Sequence, residues 1–254
     1  MNRHARLVPG LLLALFLWQN AVPGDRVCAA PTNETAEDEF EEFGEEFDIP
    51  DEPREWDPLR GYNRIMFTVN DKLYFWAFRP IARVYSKVFP QPLRLSVQRC
   101  AKNLGAPSRL VNNTLQGKFK GAGTELARFG VNTTVGILGL FDPADTIFHM
   151  KPSAEEDFGQ TLGRYGVGEG FPLVLPLLGQ SNLRDVVGLV PGYFLHPVSY
   201  IESTEWRIGL RCYEKENLVS LHLGEYESLK EDAMDPYILL RNAYRQSREA
   251  GIKE

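Results

Sequence analysis

Four glycines, Gly163, Gly166, Gly168 and Gly170, sit in the stretch "GRYGVGEGFPLVLPLLGQ" and pose the question of a phosphate-cradling loop. Such a loop needs a lysine or a helix N-terminus aimed at the anion, in a pattern such as GxxxxGK[ST] or GxGxxG. These glycines match neither pattern. Arg164 is the one base among them, and an apolar run from Phe171 to Leu178, broken by Pro172 and Pro176, follows. Glycine at this density instead permits unusual dihedrals and close backbone approach. Hydrolytic chemistry finds no better constellation. His149, His196 and His222 lie far apart, and none accompanies a GxSxG elbow or a metal-ligand spacing. Glu155, Glu156 and Asp157 form a run that reads equally well as a solvated helix start. These residues point to a protein that is not an enzyme and carries no cofactor.

The elements around these residues begin with a targeting segment. A basic start (Arg3, Arg6), the apolar run Leu11–Trp18 and small residues up to Ala29 make residues 1–29 a secretory signal peptide. The run is too short to span a bilayer, which takes about 20 apolar residues. A bacterial lipobox puts small residues directly before its cysteine. Cys28 follows Asp25, Arg26 and Val27, so lipid anchoring there is not expected. Cys100 and Cys212 remain after cleavage. In an oxidising compartment they could pair, or they could be separate small core residues. No CxxC or Cys/His cluster suggests zinc.

Charge is segregated along the chain. Thirteen acids and the single base Arg54 fall between Glu34 and Asp57, whereas from Pro58 onward 24 Lys and Arg outnumber 20 Asp and Glu. Residues 30–57 therefore read as an acidic segment that does not order by itself. Within it Phe40, Phe43 and Phe47 fall on one helical face, which leaves open a docking segment that orders against a partner. Residues 58–254 read as mostly helical. Leu93, Val97, Cys100, Ala101 and Leu104 make one apolar stripe, ended by Gly105 and Pro107. A second helical region runs from Ser203, with Trp206, Leu210, Tyr213, Leu221, Tyr226 and Leu229 at near-helical intervals and Ser203 or Thr204 as cap. A third starts at Asp235-Pro236 and is expected to stop at Gly251.

Between Asn63 and Phe89 the chain carries more aromatics than a helix core needs, with Pro80 set to kink or restart the helix. Trp, Tyr and Phe beside Lys72, Arg79 and Arg83 suit a membrane interface. No segment from residue 58 onward is long enough to span by itself. Export and an acidic net charge of −6 fit poorly with nucleic acid. Irregular backbone sits at membrane depth only where protein buries it or where it lines a cavity. The Gly/Pro segment is thus either a lipid-facing element or a buried loop plugging a helical core.

Four stretches together resemble the VacJ/MlaA family: "DPLRGYNRIMFTVND" (57–71), "VNNTLQGKFKGAGTELARFGVNTTVGILGLFDPAD" (111–145), residues 156–185, and "DPYILLRNAYRQ" (235–246). The resemblance implies a single, mostly α, ring-like domain with an irregular Gly/Pro-rich segment, embedded in or lying on the membrane. It implies a phospholipid channel at the periplasmic side of the outer membrane of Gram-negative bacteria. Strayed outer-leaflet phospholipids would pass to a periplasmic lipid-carrier protein, with a porin trimer as partner. A scaffold linking porin to a periplasmic protein is the alternative. By the same resemblance Phe67, Thr68, Val69 and Asn70 fall where the channel is sensitive to disturbance. Tyr165 and Phe171 bracket the glycine turn, and Arg164 and Arg184 are candidate phosphate attractors or ordinary ion pairs. Family members are commonly lipoproteins, and neither the missing lipobox nor the acidic segment follows the family pattern.

Overall fold

In the computed structural model, which describes residues 56–254, the aromatic segment forms helix α1 (Arg60–Leu73), a π-helical turn (Tyr74–Phe78) and α2 (Arg79–Val88). Pro80 lies in the first turn of α2 and has no N–H to give to Trp76. The Arg79 N–H bonds instead to the Tyr74 carbonyl five residues back, and one wide turn absorbs the proline. The stretch read as a signal peptide, Cys28 and nearly all of the acidic segment lie outside the described residues.

Next come α3 (Gln91–Leu104) and α4 (Ala106–Leu115), separated by Gly105, with Pro92 and Pro107 in their first turns. Helix α5 (Phe119–Thr134) ends in a left-handed turn through Ile137, Leu138 and Gly139. That turn leads to the single-turn α6 (Pro143–Thr146), capped by Asp142. Helix α7 (Phe158–Arg164) precedes the glycine turn, and strands β1 (Pro172–Leu175) and β2 (Gly179–Asn182) follow it. Helix α8 (Leu183–Leu195), a 3-10 turn (Pro197–Tyr200), α9 (Thr204–Leu221), α10 (Glu225–Glu231) and α11 (Pro236–Lys253) complete the order.

Several ends follow local chemistry. Asp157, Asn182, Ser203 and Asp235 each accept a first-turn N–H at the start of α7, α8, α9 and α11. The second helical region divides into α9 and α10 at Gly224, whose φ of 97° an L side chain rarely adopts. The expected stop at Gly251 is corrected. Helix α11 runs on to Lys253, and the glycine lets α11 approach α7, because a Cβ there would meet Gln160 Nε2 at 2.9 Å.

The Gly/Pro segment is a hairpin, with Pro172 opposite Asn182 and Leu175 opposite Gly179. Val174 and Leu178 are buried. Helix α1 holds this hairpin through two asparagines on one face. Asn63 accepts from the Val174 N–H (2.8 Å) and donates to the Pro172 carbonyl (3.0 Å). Asn70 donates to the Leu175 carbonyl (2.8 Å) and accepts from the Leu177 N–H (2.7 Å). The segment is therefore latched to α1 through its backbone, with Val174 and Leu178 buried and Pro176 exposed.

The burial pattern is inverted relative to a water-soluble domain. Among the described residues eleven buried residues are hydrophobic and twenty are polar or charged, while large apolar side chains crowd the outside. On α9, Arg211, Lys215 and Asn217 are 1–5% exposed while Trp206 is 69% exposed. Helix α8 buries Arg184 and Asp185 and turns out Val187, Val190 and Phe194. Helix α2 buries Ala82 and shows Ile81, Val84 and Val88. No helix among the described residues is long and apolar enough to cross a membrane. Cys100 is half-buried on α3 and Cys212 is exposed on α9, and both are free thiols.

Candidate functional site

The polar faces turn toward a common space. Helices α3, α4, α8, α9 and α11, strand β2 and the loop before α7 line a cavity of about 890 Å³. Its surface is mixed. Val97, Ala101, Leu189 and Leu218 supply apolar patches beside Ser108, Arg109, Gln180, Ser181, Lys215, Asn217, Ser247 and Arg248.

Small residues bring the walls together. A Cβ on Gly188 of α8 would lie 2.6 Å from the Gly159 backbone N in α7. A Cβ on Gly159 would collide with the Asp185 carboxylate and the Arg248 guanidinium. The crossing of these helices therefore depends on bare backbone, and it sets the ion pairs beside it.

Those ion pairs form one buried cluster. Arg248 of α11 grips both oxygens of Asp157 (2.6 and 2.7 Å) and reaches Asp185 (2.8 Å). Tyr244 donates to Asp185 at 2.6 Å, and Arg184 approaches it at 3.1 Å. Burial alone would raise the Asp185 carboxyl, but Arg248, Tyr244 and Arg184 outweigh it and hold the pKa below the usual carboxylate range. A second cluster ties α4 to the loop before α7. Glu156 accepts from Gln116 (2.7 Å) and Lys118 (2.6 Å), and Thr161 donates to Asn112 (2.8 Å). A third joins Arg109 and Ser153 on Glu125, at 2.9 and 2.8 Å.

The α9 wall titrates unusually. Burial pushes the Lys215 ammonium down to about 7, with Glu214 opposing and Arg211 reinforcing the shift. Burial raises Glu216 to about 7. His196, also in the lining, is pushed down to about 4 by burial and then by Arg211. Among the described residues no group of His, Cys, Asp and Glu is arranged to hold a metal ion.

Of the residues weighed from sequence for chemistry, Glu155, Glu156, Asp157, His196 and His222 line this cavity, whereas the eight lipid-path candidates lie outside its lining. Phe67 stacks edge-on against Tyr237, with ring centroids 6.0 Å apart, and Thr68 donates to the Arg64 carbonyl. Val69 is exposed on α1, and Asn70 holds the hairpin. Phe171 meets Trp56 edge-on at 5.9 Å. Tyr165 is exposed and donates to the Leu115 carbonyl, and Arg164 donates to the Ile252 carbonyl. Of the two alternatives for Arg184, the structure shows the ion pair, in the interior rather than at the surface. It is buried against Asp185 and the Val167 carbonyl, so its charge is already matched.

The lining residues Ser108, Arg109, Gln180, Lys215, Asn217 and Arg248 were not reached from sequence. The available signal was polar residues such as Lys215 between the apolar positions of a helix, a pattern normally read as a solvated face.

The family model described as "MlaA lipoprotein" matches residues 55–251. The chain belongs to the MlaA family. It is 32% identical over 196 residues to the intermembrane phospholipid transport system lipoprotein MlaA of Escherichia coli strain K12, covering 76% of this chain and 77% of that one. The MlaA lipoprotein of Haemophilus influenzae is 28% identical over 200 residues, covering 78% and 80%. An uncharacterized protein of Rickettsia felis is 33% identical over 201 residues, covering 78% of each chain. A solved structure described as the structural basis for maintenance of bacterial outer membrane lipid asymmetry superposes with a TM-score of 0.69 and 31% identity. It covers 77% of this chain and 98% of that chain. The MlaA match takes in every wall of the cavity.

Proposed function

We propose that this MlaA-family protein is a non-enzymatic phospholipid conduit. It lies at the periplasmic side of the outer membrane and passes mislocalised outer-leaflet phospholipids to a periplasmic carrier. The observation that carries this reading is the inverted amphipathicity: apolar side chains outside, and buried polar and charged side chains inside, around a cavity of mixed surface. Each large apolar side chain gains about 1.5–3 kcal/mol on leaving water, so the outer surface favours hydrocarbon. A lipid headgroup faces the opposite problem. Burying its charge in hydrocarbon costs several kcal/mol, and the polar groups of the cavity lining lower that cost. The acyl chains need no enclosed pocket, because they stay with the surrounding lipid.

Relatives named for an intermembrane phospholipid transport system support the same reading. A porin trimer as lateral partner belongs to it as a proposal that follows the family resemblance. Arg164 and Tyr165, exposed at the glycine turn, would meet headgroups outside the cavity. The test is transfer of labelled phospholipid from donor to acceptor vesicles carrying the purified full chain. Transfer with unchanged lipid chemistry supports the conduit. No transfer, or hydrolysed lipid, rejects it.

A further inference from the structure

The cavity lining contains the basic residues Lys102, Arg109, Lys215 and Arg248. Lys102 pairs with Glu155 at 3.1 Å, Arg109 with Glu125 at 2.9 Å, and Arg248 with Asp157 at 2.6 Å. Lys215 differs from all of them. It is 5% exposed, and its Nζ is buried with no hydrogen-bond partner and no carboxylate at ion-pair distance among the described residues.

An ammonium taken out of water without a partner is costly, and the protein relieves that cost by giving up the proton or by receiving an anion. Burial does push Lys215 toward neutrality, while Glu214 beside it in sequence holds part of the charge. Gln180 of β2, in the same lining, also keeps both side-chain amide atoms buried and unpartnered. The cavity thus contains donors that the fold itself leaves unmatched. A lysine ammonium on a flexible stem is a compact point charge suited to phosphate oxygens.

We propose that Lys215 is the headgroup-binding residue of the cavity, pairing its ammonium with the phosphodiester oxygens of a phospholipid. The assignment rests on the conduit reading and deepens it. It places the anion on α9, away from Arg184 and Arg248, whose charges are already matched. The same phosphate chemistry could come from free inorganic phosphate, so the two sources must be separated.

The test uses the purified full chain in detergent micelles, with native protein, Lys215→Met and Lys215→Arg compared. The probes are dihexanoyl-phosphatidylglycerol, dihexanoylglycerol and inorganic phosphate. Native protein should bind the phospholipid about tenfold or more tightly than Lys215→Met, the scale of a hydrogen bond to a charged group. Lys215→Arg should restore most of that binding. NMR of the labelled lysine should show its pKa rising when the phospholipid binds. Dihexanoylglycerol should not distinguish native protein from Lys215→Met. Lys215→Met should melt at or above the native temperature, since it removes a desolvated charge, so lost binding will not reflect unfolding. Equal phospholipid binding by native protein and Lys215→Met overturns the assignment and leaves the conduit standing. An equal pKa rise with inorganic phosphate makes this a free-anion site and also overturns it. Native protein that neither binds nor transfers phospholipid overturns both.

Discussion

Arg248 near the chain's C-terminus holds Asp157, the cap of α7, through two hydrogen bonds of 2.6 and 2.7 Å, while its Nε reaches Asp185 of α8. One planar guanidinium therefore ties three helices together across the cavity wall. The fork geometry is what a carboxylate accepts on both oxygens, and a lysine cannot reproduce it.

Replacing Arg248 with Met leaves the half-buried Asp157 without its cation and the buried Asp185 with Arg184 alone. The expected loss is about 3–5 kcal/mol of stability, the scale for breaking one side of a buried pair. Arg248→Lys should keep the charge, lose the fork and fall between native protein and Arg248→Met. Denaturant unfolding in detergent reads both variants. Native-like stability of Arg248→Met would show that the cluster does not hold the wall.

Asn63→Leu should release the hairpin from α1. The substitution leaves the buried Val174 N–H and Pro172 carbonyl without their side-chain partner, at roughly 1–3 kcal/mol for a buried unsatisfied group. Hydrogen exchange should rise first across residues 172–182, before global unfolding. Uniform exchange along the chain would mean that the asparagine does not latch this hairpin.

His196 gives a pH dependence with a definite sign. Its folded pKa, pushed down to about 4, lies below the unfolded value of about 6.5, so the folded state resists protonation. The stabilising contribution is complete above about pH 6.5 and is lost as pH falls toward 4, on the order of 3 kcal/mol in all. His196→Gln should flatten that part of the stability–pH curve. An unchanged slope between pH 6.5 and 4 would refute this role.

Val84 and Val88 lie on the outward face of α2, more than 60% exposed. If that face meets hydrocarbon, the double change Val84→Asp and Val88→Asp should weaken vesicle flotation while leaving the helical circular dichroism intact. A charge at membrane depth costs about 2.5–3.5 kcal/mol, enough to reduce partitioning more than tenfold. Flotation equal to native would put this face in water.

The helical plan was legible because its punctuation is local. Pro80, Gly105, Ser203 and Asp235-Pro236 each act within one turn, and each marks a boundary in the structure. The hairpin was less legible, since its partners, Asn63 and Asn70, lie more than 100 residues away. The cavity was hidden by direction. A stripe of Trp206, Leu210 and Tyr213 signals a face but not whether that face meets core or lipid, and in this fold it looks outward. Arg184 shows the same limit, because nothing in the text "NLRD" reveals that Asp185 already holds it.

Passage of phospholipid through the cavity is tested most directly in cells, by the amount of phospholipid in the outer leaflet. It should rise when the protein is absent and return to baseline with the native chain. It should stay high with a folded, correctly located Gln98→Trp variant, whose side chain enlarges one wall of the cavity. An outer leaflet unchanged by loss of the protein, or fully restored by the narrowed variant, would contradict passage through this cavity.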